Sequence, residues 1–277
     1  MIKTKSLLII GAGASLPYGY PTGAQLAEEL SNPDNLKDLE CKIHKAGISE
    51  FCKVFKQSPK YSIDAFLSSR GDDQIGKPPD GKSIGAYQSF GTYGECGKLA
   101  LASCLIKKEK IDTLTTPNDD HWMKYLWNVL SSSDSKSDFV RNQLKIVSFN
   151  YDRVIEQYFQ TSIEAFFGIG AEEASKLMRE TLEIVHVYGN LQDLSQRAYG
   201  EAADISEVAK CIKVIPEARD GKDGFFKKAK QMISWADKIC FIGFGFDLIN
   251  IRRLDLENNF QSKFYGSEVD GVKVSAQ

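Results

Sequence analysis

Four short segments carry the residue types best suited to chemistry. Gly11-Ala12-Gly13-Ala14-Ser15 can bring backbone N–H groups close to a phosphate, because glycine has no Cβ to hold the ligand off. In Ser148-Phe149-Asn150-Tyr151-Asp152, Asn150 carries both an amide donor and a carbonyl acceptor, which suits a ribose hydroxyl or a fixed water. His186-Val187-Tyr188-Gly189-Asn190 puts an imidazole in an apolar strand beside a glycine turn. Its near-neutral titration makes His186 the best general base among the three histidines, His44, His121 and His186. Phe241-Ile242-Gly243-Phe244-Gly245-Phe246-Asp247, followed by Asn250, can set backbone amides and the Asn250 side chain against a nucleotide.

Each segment also has a plainer reading. A full dinucleotide fingerprint would need glycine at Leu16 and an acidic residue after a second strand, so the first segment also fits a tight strand-to-helix turn. Asn150 fits a turn and Asp152 a helix N-cap. His186 fits a satisfied core histidine, and Gly243 to Gly245 an ordinary turn. His44 reads as solvated, and His121 as a helix-end or surface residue. None of the six cysteines forms a C-x-x-C pair, so no zinc ribbon or other metal site is expected. Cys240 reads as a small buried hydrophobe, and scattered thiols suit a reducing cytoplasm.

The four segments share one trait: each follows a predicted strand. Ser6 to Ile10 is a continuous apolar run ended by glycine, as in a strand buried on both faces. Leu144 to Phe149, Glu183 to Tyr188, Cys211 to Ile215 and Lys238 to Phe244 are further strands, with Gly271 to Ser275 a sixth. Thr22 and Gln25 have capping-box spacing, so a helix starts near Thr22. Leu36 to Phe55 is helical with a break at Gly47, Ser62 caps a short helix, and Leu99 to Lys107, His121 to Leu130, Tyr151 to Phe159 and Phe225 to Ala236 are helical. Arg70 to Gly97 is glycine-rich and too long for an ordinary connector, so it reads as a lid, an interaction loop or a disordered stretch. The predicted fold is α/β: a Rossmann-like parallel sheet with helices on both faces. It forms one domain over 1–277 with a mainly helical insertion at about 36–130. Open parallel sheets bind ligands outside the carboxyl ends of their strands, so segments far apart in sequence are expected to converge there.

Bulk properties narrow the partners. A chain of 277 residues suits one large α/β domain or two small ones. With 35 basic and 37 acidic residues the net charge is −2, which supplies no general attraction for nucleic acid. No apolar run reaches the roughly 18 residues a membrane span requires. Lys3, Lys5, the following apolar stretch and Ala12-x-Ala14 imitate a secretory signal, but the stretch is short and leads into a helix.

Taken together, the ordered segments resemble the SIR2 family. The family's GAG-A/S loop is similar to Gly11 to Ser15, and its N-x-D segment to Asn150-Tyr151-Asp152. The H-x-H-G form of its bacterial branch is similar to His186-Val187-Tyr188-Gly189. His186 matches either the first or the second histidine of that form, and Tyr188 the other. The late I-G-F/Y-S/G-F segment is similar to Ile242 to Phe246, and Ile63-Asp64-Ala65-Phe66-Leu67 resembles an internal segment of the antiphage-defence branch. The resemblance implies an NAD+ hydrolase that releases nicotinamide and ADP-ribose, with Asn150 and His186 catalytic and NAD+ as substrate. It implies nucleotide contacts from Gly11, Ala12, Gly13, Ala14, Ser15, Thr22, Asp152, Gly243, Gly245 and Asn250. It also implies a homo-oligomer or a separately encoded sensor to hold the activity in check. Deacylases of the family carry zinc on paired C-x-x-C motifs, which this sequence lacks. A silent NAD- or ADP-ribose-binding module and a protein deacylase are the alternatives.

Overall fold

The computed structural model describes residues 1–59, 62–76, 90–116, 121–213 and 224–256. Its centre is a parallel sheet of β1 (Ser6–Ile10), β2 (Leu144–Ser148), β3 (Leu182–His186) and β4 (Lys238–Ile242), in the order β3-β2-β1-β4. Leu7 and Ile9 of β1 are fully buried, which explains its unbroken apolar run: both faces of this central strand are covered, whereas the edge strand β4 is partly exposed and Cys240, read as a buried hydrophobe, is exposed on it. The fold is Rossmann-like α/β, as the strand–helix alternation predicts.

Register decides where the four chemical segments lie. Ile10 pairs with Ser148 and with Ile242, and Ser148 pairs with His186. The last residues of all four strands therefore form one row, with neighbouring strands about 4.8 Å apart. Whatever follows each strand emerges at the same edge. The chain steps outward from β1 to β2 to β3, then returns to the other side of β1 for β4. The reversal places a switch point between the ends of β1 and β4, where such sheets form their ligand crevice.

Between β1 and β2 the described chain is helical. A 3-10 helix over Ala12–Tyr18 leads to α1 (Gly23–Leu30), and a second 3-10 helix spans Pro33–Cys41. There follow α2 (Lys45–Gln57), α3 (Ile63–Arg70), α4 (Tyr93–Ile106), α5 (Ile111–Thr115), α6 (Trp122–Leu130) and α7 (Lys136–Phe139). Ser62 caps α3 as predicted, its hydroxyl accepting from the Ala65 amide at 3.2 Å. Gly47 does not break its helix. It lies in the first turn of α2, where a Cβ would come within 2.6 Å of the Phe90 Cβ, so the glycine serves packing. The loop expected over Arg70 to Gly97 ends earlier than predicted, because Thr92 and Glu95 form a capping box that starts α4 at Tyr93; residues 77–89 of that loop lie outside the described residues.

After β2 come α8 (Val154–Phe167) and α9 (Ala171–Thr181). After β3 come α10 (Ile205–Cys211) and α11 (Gly224–Trp235), and after β4 comes α12 (Leu248–Arg253). The strand predicted over Cys211 to Ile215 is corrected at its start, while Val214 and Ile215 lie outside the described residues. The Asp204 side chain accepts from the Ser206 amide at 2.9 Å and starts a helix that runs through Cys211. Ile212 keeps only an isolated antiparallel bridge to Gly189. The strand predicted at Gly271 to Ser275 lies outside the described residues. Among the described residues, no helix is long and apolar enough to cross a membrane.

Candidate functional site

At the switch point the two glycine turns touch each other. The Gly11 amide donates to the Ile242 carbonyl and the Gly13 amide to the Gly243 carbonyl, each at 3.1 Å. A Cβ on Gly11 would lie 2.6 Å from the Gly243 oxygen. Gly243 has φ +57°, and a Cβ there would lie 2.0 Å from the Ala14 nitrogen. Backbone-to-backbone approach of the turns therefore already requires these glycines, before any phosphate is considered. Gly245 differs: its Cβ would meet open space. We expect Gly243→Ala to cost more in urea unfolding than the roughly 1–3 kcal/mol of strain at a positive φ, because its Cβ also meets the Ala14 and Gly13 backbone, and Gly245→Ala to fall within about 0.5 kcal/mol of wild type. Equal midpoints for the two variants would contradict this packing.

The polar core of the site joins β1 to β2 and β3. Asn150 Nδ2 donates to the Gly11 carbonyl at 3.0 Å and to Ser15 Oγ at 2.9 Å. A carbonyl can only accept, so the amide's orientation is fixed. Ser15 Oγ donates onward to Asp152 Oδ2 at 2.7 Å, while Asp152 Oδ1 accepts from the Val154 amide at 3.2 Å; the N-cap of α8 is Arg153, so Asp152 lies one residue before the cap position expected for it. Ser15, Asn150 and Asp152 are all buried. Burial raises the Asp152 carboxyl above its ordinary value, against the Ser15 and Val154 hydrogen bonds and the nearby His186. Asn150 Oδ1 accepts from no donor among the described residues. It is the acceptor the site leaves open.

His186 is engaged on both sides. Nδ1 lies 2.8 Å from the Asn150 carbonyl and Nε2 lies 2.7 Å from Glu156 Oε1. Burial alone would push the imidazole down, but Glu156, the Asn150 carbonyl and Asp152 together raise it to about 9. Glu156 is correspondingly lowered despite its burial, because the imidazolium faces it. Neither ring nitrogen is left to take a proton from a substrate, so in this arrangement the residue read as a general base is half of an ion pair. A folded-state value above the unfolded 6.5 means the histidine's contribution to stability is complete below pH 6.5 and disappears as pH rises through about 9. Thermal melts of wild type should decline over that window, whereas His186→Gln should lack this decline.

The other predicted residues lie around this core. Ala14 gives its carbonyl to Trp122 Nε1 at 2.8 Å, so α6 braces the glycine turn, and Ala12 opens the 3-10 helix. His121 is buried with its ring 4.8 Å from the Tyr18 ring; it packs rather than caps, unlike the reading from sequence. Thr22 forms its predicted capping box with Gln25, and both side chains are committed to the helix start. Asn250 belongs to a second cluster: Tyr188 donates to Asn250 Oδ1 at 2.6 Å, and Arg253 donates to the Tyr188 hydroxyl at 2.9 Å. In the same region Tyr151 donates to Asp64 Oδ1 at 2.6 Å, tying α3 to the end of β2. None of the twelve predicted site residues lines the open groove of about 910 Å³, although its lining of Leu16, Tyr20, Gln25, Lys56 and Lys108 among others includes the chain neighbour of Ser15 and the capping partner of Thr22.

Sequence reasoning missed Glu156 and Ser148, whose hydroxyl accepts from the Asn150 amide at 3.1 Å. Glu156 was detectable. It sits four residues after Asp152, which puts the two carboxylates on one side of the turn leading into α8. It also missed a buried cluster beside the site. Both oxygens of Glu109 are gripped by Arg153 at 2.9 Å, and by Arg197 at 2.7 and 2.9 Å. Among the described residues no group of three or more His, Cys, Asp or Glu side chains gathers as a metal site. Compared with known proteins, the chain matches no protein-family model and no curated protein.

Proposed function

We propose that the chain is an NAD+ hydrolase, cleaving the bond between nicotinamide and ribose. The observation that carries this reading is Asn150, held by two donations from its amide nitrogen at the carboxyl edge of a Rossmann-like sheet, with its side-chain oxygen open. The SIR2 resemblance of the four segments around it agrees with that placement. In this reading NAD+ lies across the edge with its pyrophosphate over Gly11 to Ser15 and its adenosine half toward Gly243 to Asn250. Asp152 accepts from the nicotinamide carboxamide.

Cleavage needs little acid. Nicotinamide is bound to ribose as a cation and departs neutral with the bonding electrons, leaving an oxocarbenium-like ribose. The open Asn150 oxygen accepts from a ribose hydroxyl or from the water that adds to C1′. That water supplies the new hydroxyl of ADP-ribose and releases its second proton to solvent water after the C–O bond forms, so a strong base is not required. His186 then acts by holding Asn150 rather than by taking a proton.

An unregulated enzyme of this kind would exhaust its host. We therefore propose a cytoplasmic effector of antiphage defence, restrained by self-assembly or by a separately encoded sensor. A second reading is favoured by the paired state of His186: a silent module that binds NAD+ or ADP-ribose within a larger complex. Incubating the purified chain with NAD+ and measuring free nicotinamide separates the two. Release supports the hydrolase, ligand-dependent stabilisation without release selects the module, and neither result overturns both.

A further inference from the structure

We propose that Glu156 is a positioning residue of this site, acting through His186 on the backbone of Asn150. The inference rests on the hydrolase reading for its kinetic consequence but on geometry for its basis. The Asn150 carbonyl can only accept, so the His186 nitrogen at 2.8 Å from it carries a hydrogen. The opposite ring nitrogen faces the Glu156 carboxylate at 2.7 Å. Carboxylate, imidazolium and carbonyl thus form a line of charge-assisted hydrogen bonds ending on the residue whose side chain faces the substrate.

The rest of Asn150 is held by weaker, neutral contacts. Its amide meets Ser148 Oγ at 3.1 Å, and its side chain meets Gly11 and Ser15. The His186 bond is the one that draws on a formal charge. Placement makes that charge steady: Glu156 sits in the first turn of α8, where the helix dipole favours an anion. Its other oxygen, Oε2, is buried without a hydrogen-bond partner. A carboxylate kept only for the fold would be expected to satisfy both oxygens, whereas this one is committed on a single side to the imidazole. The charged groups that bear on the pair are Asp152 beside His186 and Arg153 beside Glu156.

The test compares the full chain with Glu156→Gln, which keeps size and shape and removes the charge, and with Glu156→Asp, which keeps the charge on a shorter arm. Ring NMR should find the His186 transition near pH 9 in wild type and displaced toward the ordinary imidazole range, near 6.5, in Glu156→Gln. With NAD+ as substrate, Glu156→Gln should lose about a hundredfold in kcat with KM unchanged, as expected for a displaced reacting group, and Glu156→Asp should recover part of it. A displaced NMR transition with unaltered kcat would overturn the positioning role, and an undisplaced transition would overturn the pair itself. If wild type binds NAD+ without cleaving it, the hydrolase reading fails alone; Glu156 is then read by calorimetry, where Glu156→Gln should bind NAD+ about tenfold more weakly and equal affinity overturns the role. A wild type that neither binds nor cleaves NAD+ overturns both.

Discussion

Asn150→Ala should lower nicotinamide release by about 10²–10³-fold, the usual loss when a preorganised polar group is removed from a developing charge. The substitution deletes the open oxygen and, with it, the two donations that fix the amide against Gly11 and Ser15. The Gly11 carbonyl also accepts from the Ala14 amide at 2.9 Å, so the turn keeps a partner and the fold should survive. Asn150→Asp provides a second probe. It preserves size but replaces the donor with an oxygen facing the Gly11 carbonyl, and it should be equally inactive. Circular dichroism spectra matching wild type, alongside the loss of nicotinamide release, would assign the effect to chemistry. Full turnover in both variants would remove Asn150 from the reaction.

The largest effect on stability is expected at Glu109. Its side chain is fully buried, as are those of Arg153 and, nearly, Arg197. Glu109 also accepts from the Gly200 amide at 3.0 Å, so one carboxylate ties the link between α4 and α5 to the start of α8 and to the loop after β3. Removing it leaves two guanidinium groups buried without their counter-ion, and Glu109→Ala should cost about 3–5 kcal/mol. That is a large share of a typical folding free energy of about 5–15 kcal/mol. The exposed Lys37–Asp34 pair offers the contrast: solvent screens it, and Asp34→Ala should leave the denaturation midpoint close to that of wild type. Chemical denaturation of both variants measures the difference, and similar midpoints would show that the cluster contributes little. Because Arg153 directly follows Asp152, loss of Glu109 should also loosen the site before the protein unfolds.

The parts of the structure that follow from local pattern were legible. Ser6 to Ile10 had to be a central strand because its core of Leu7 to Ile10 is unbroken, and the capping box at Thr22 and the cap at Ser62 start their helices where side-chain chemistry requires. The convergence of Gly11, Asn150 and His186 followed from one rule about parallel sheets, applied to three strand ends. What was hidden depends on partners distant in sequence. Glu109 lies in the run Lys107-Lys108-Glu109-Lys110, which reads as a solvated face, and only Arg153 and Arg197 explain its burial. His186 looked like a free base because its type is visible in sequence and the carboxylate opposite it is not. Gly47 looked like a helix break because the Phe90 ring that needs the space comes more than forty residues later. The strand predicted at Cys211 failed for a local reason, since the cap at Asp204 was overlooked.

A crystal structure with a non-cleavable NAD+ analogue, in which a methylene replaces the ring oxygen of the nicotinamide ribose, tests whether Asn150 meets the ribose. A ribose hydroxyl or an ordered water should lie within about 2.6–3.2 Å of Asn150 Oδ1, with the pyrophosphate beside Gly11 to Ser15. An analogue seated instead in the groove lined by Gln25, Lys56 and Lys108, with no contact to Asn150, would contradict that placement.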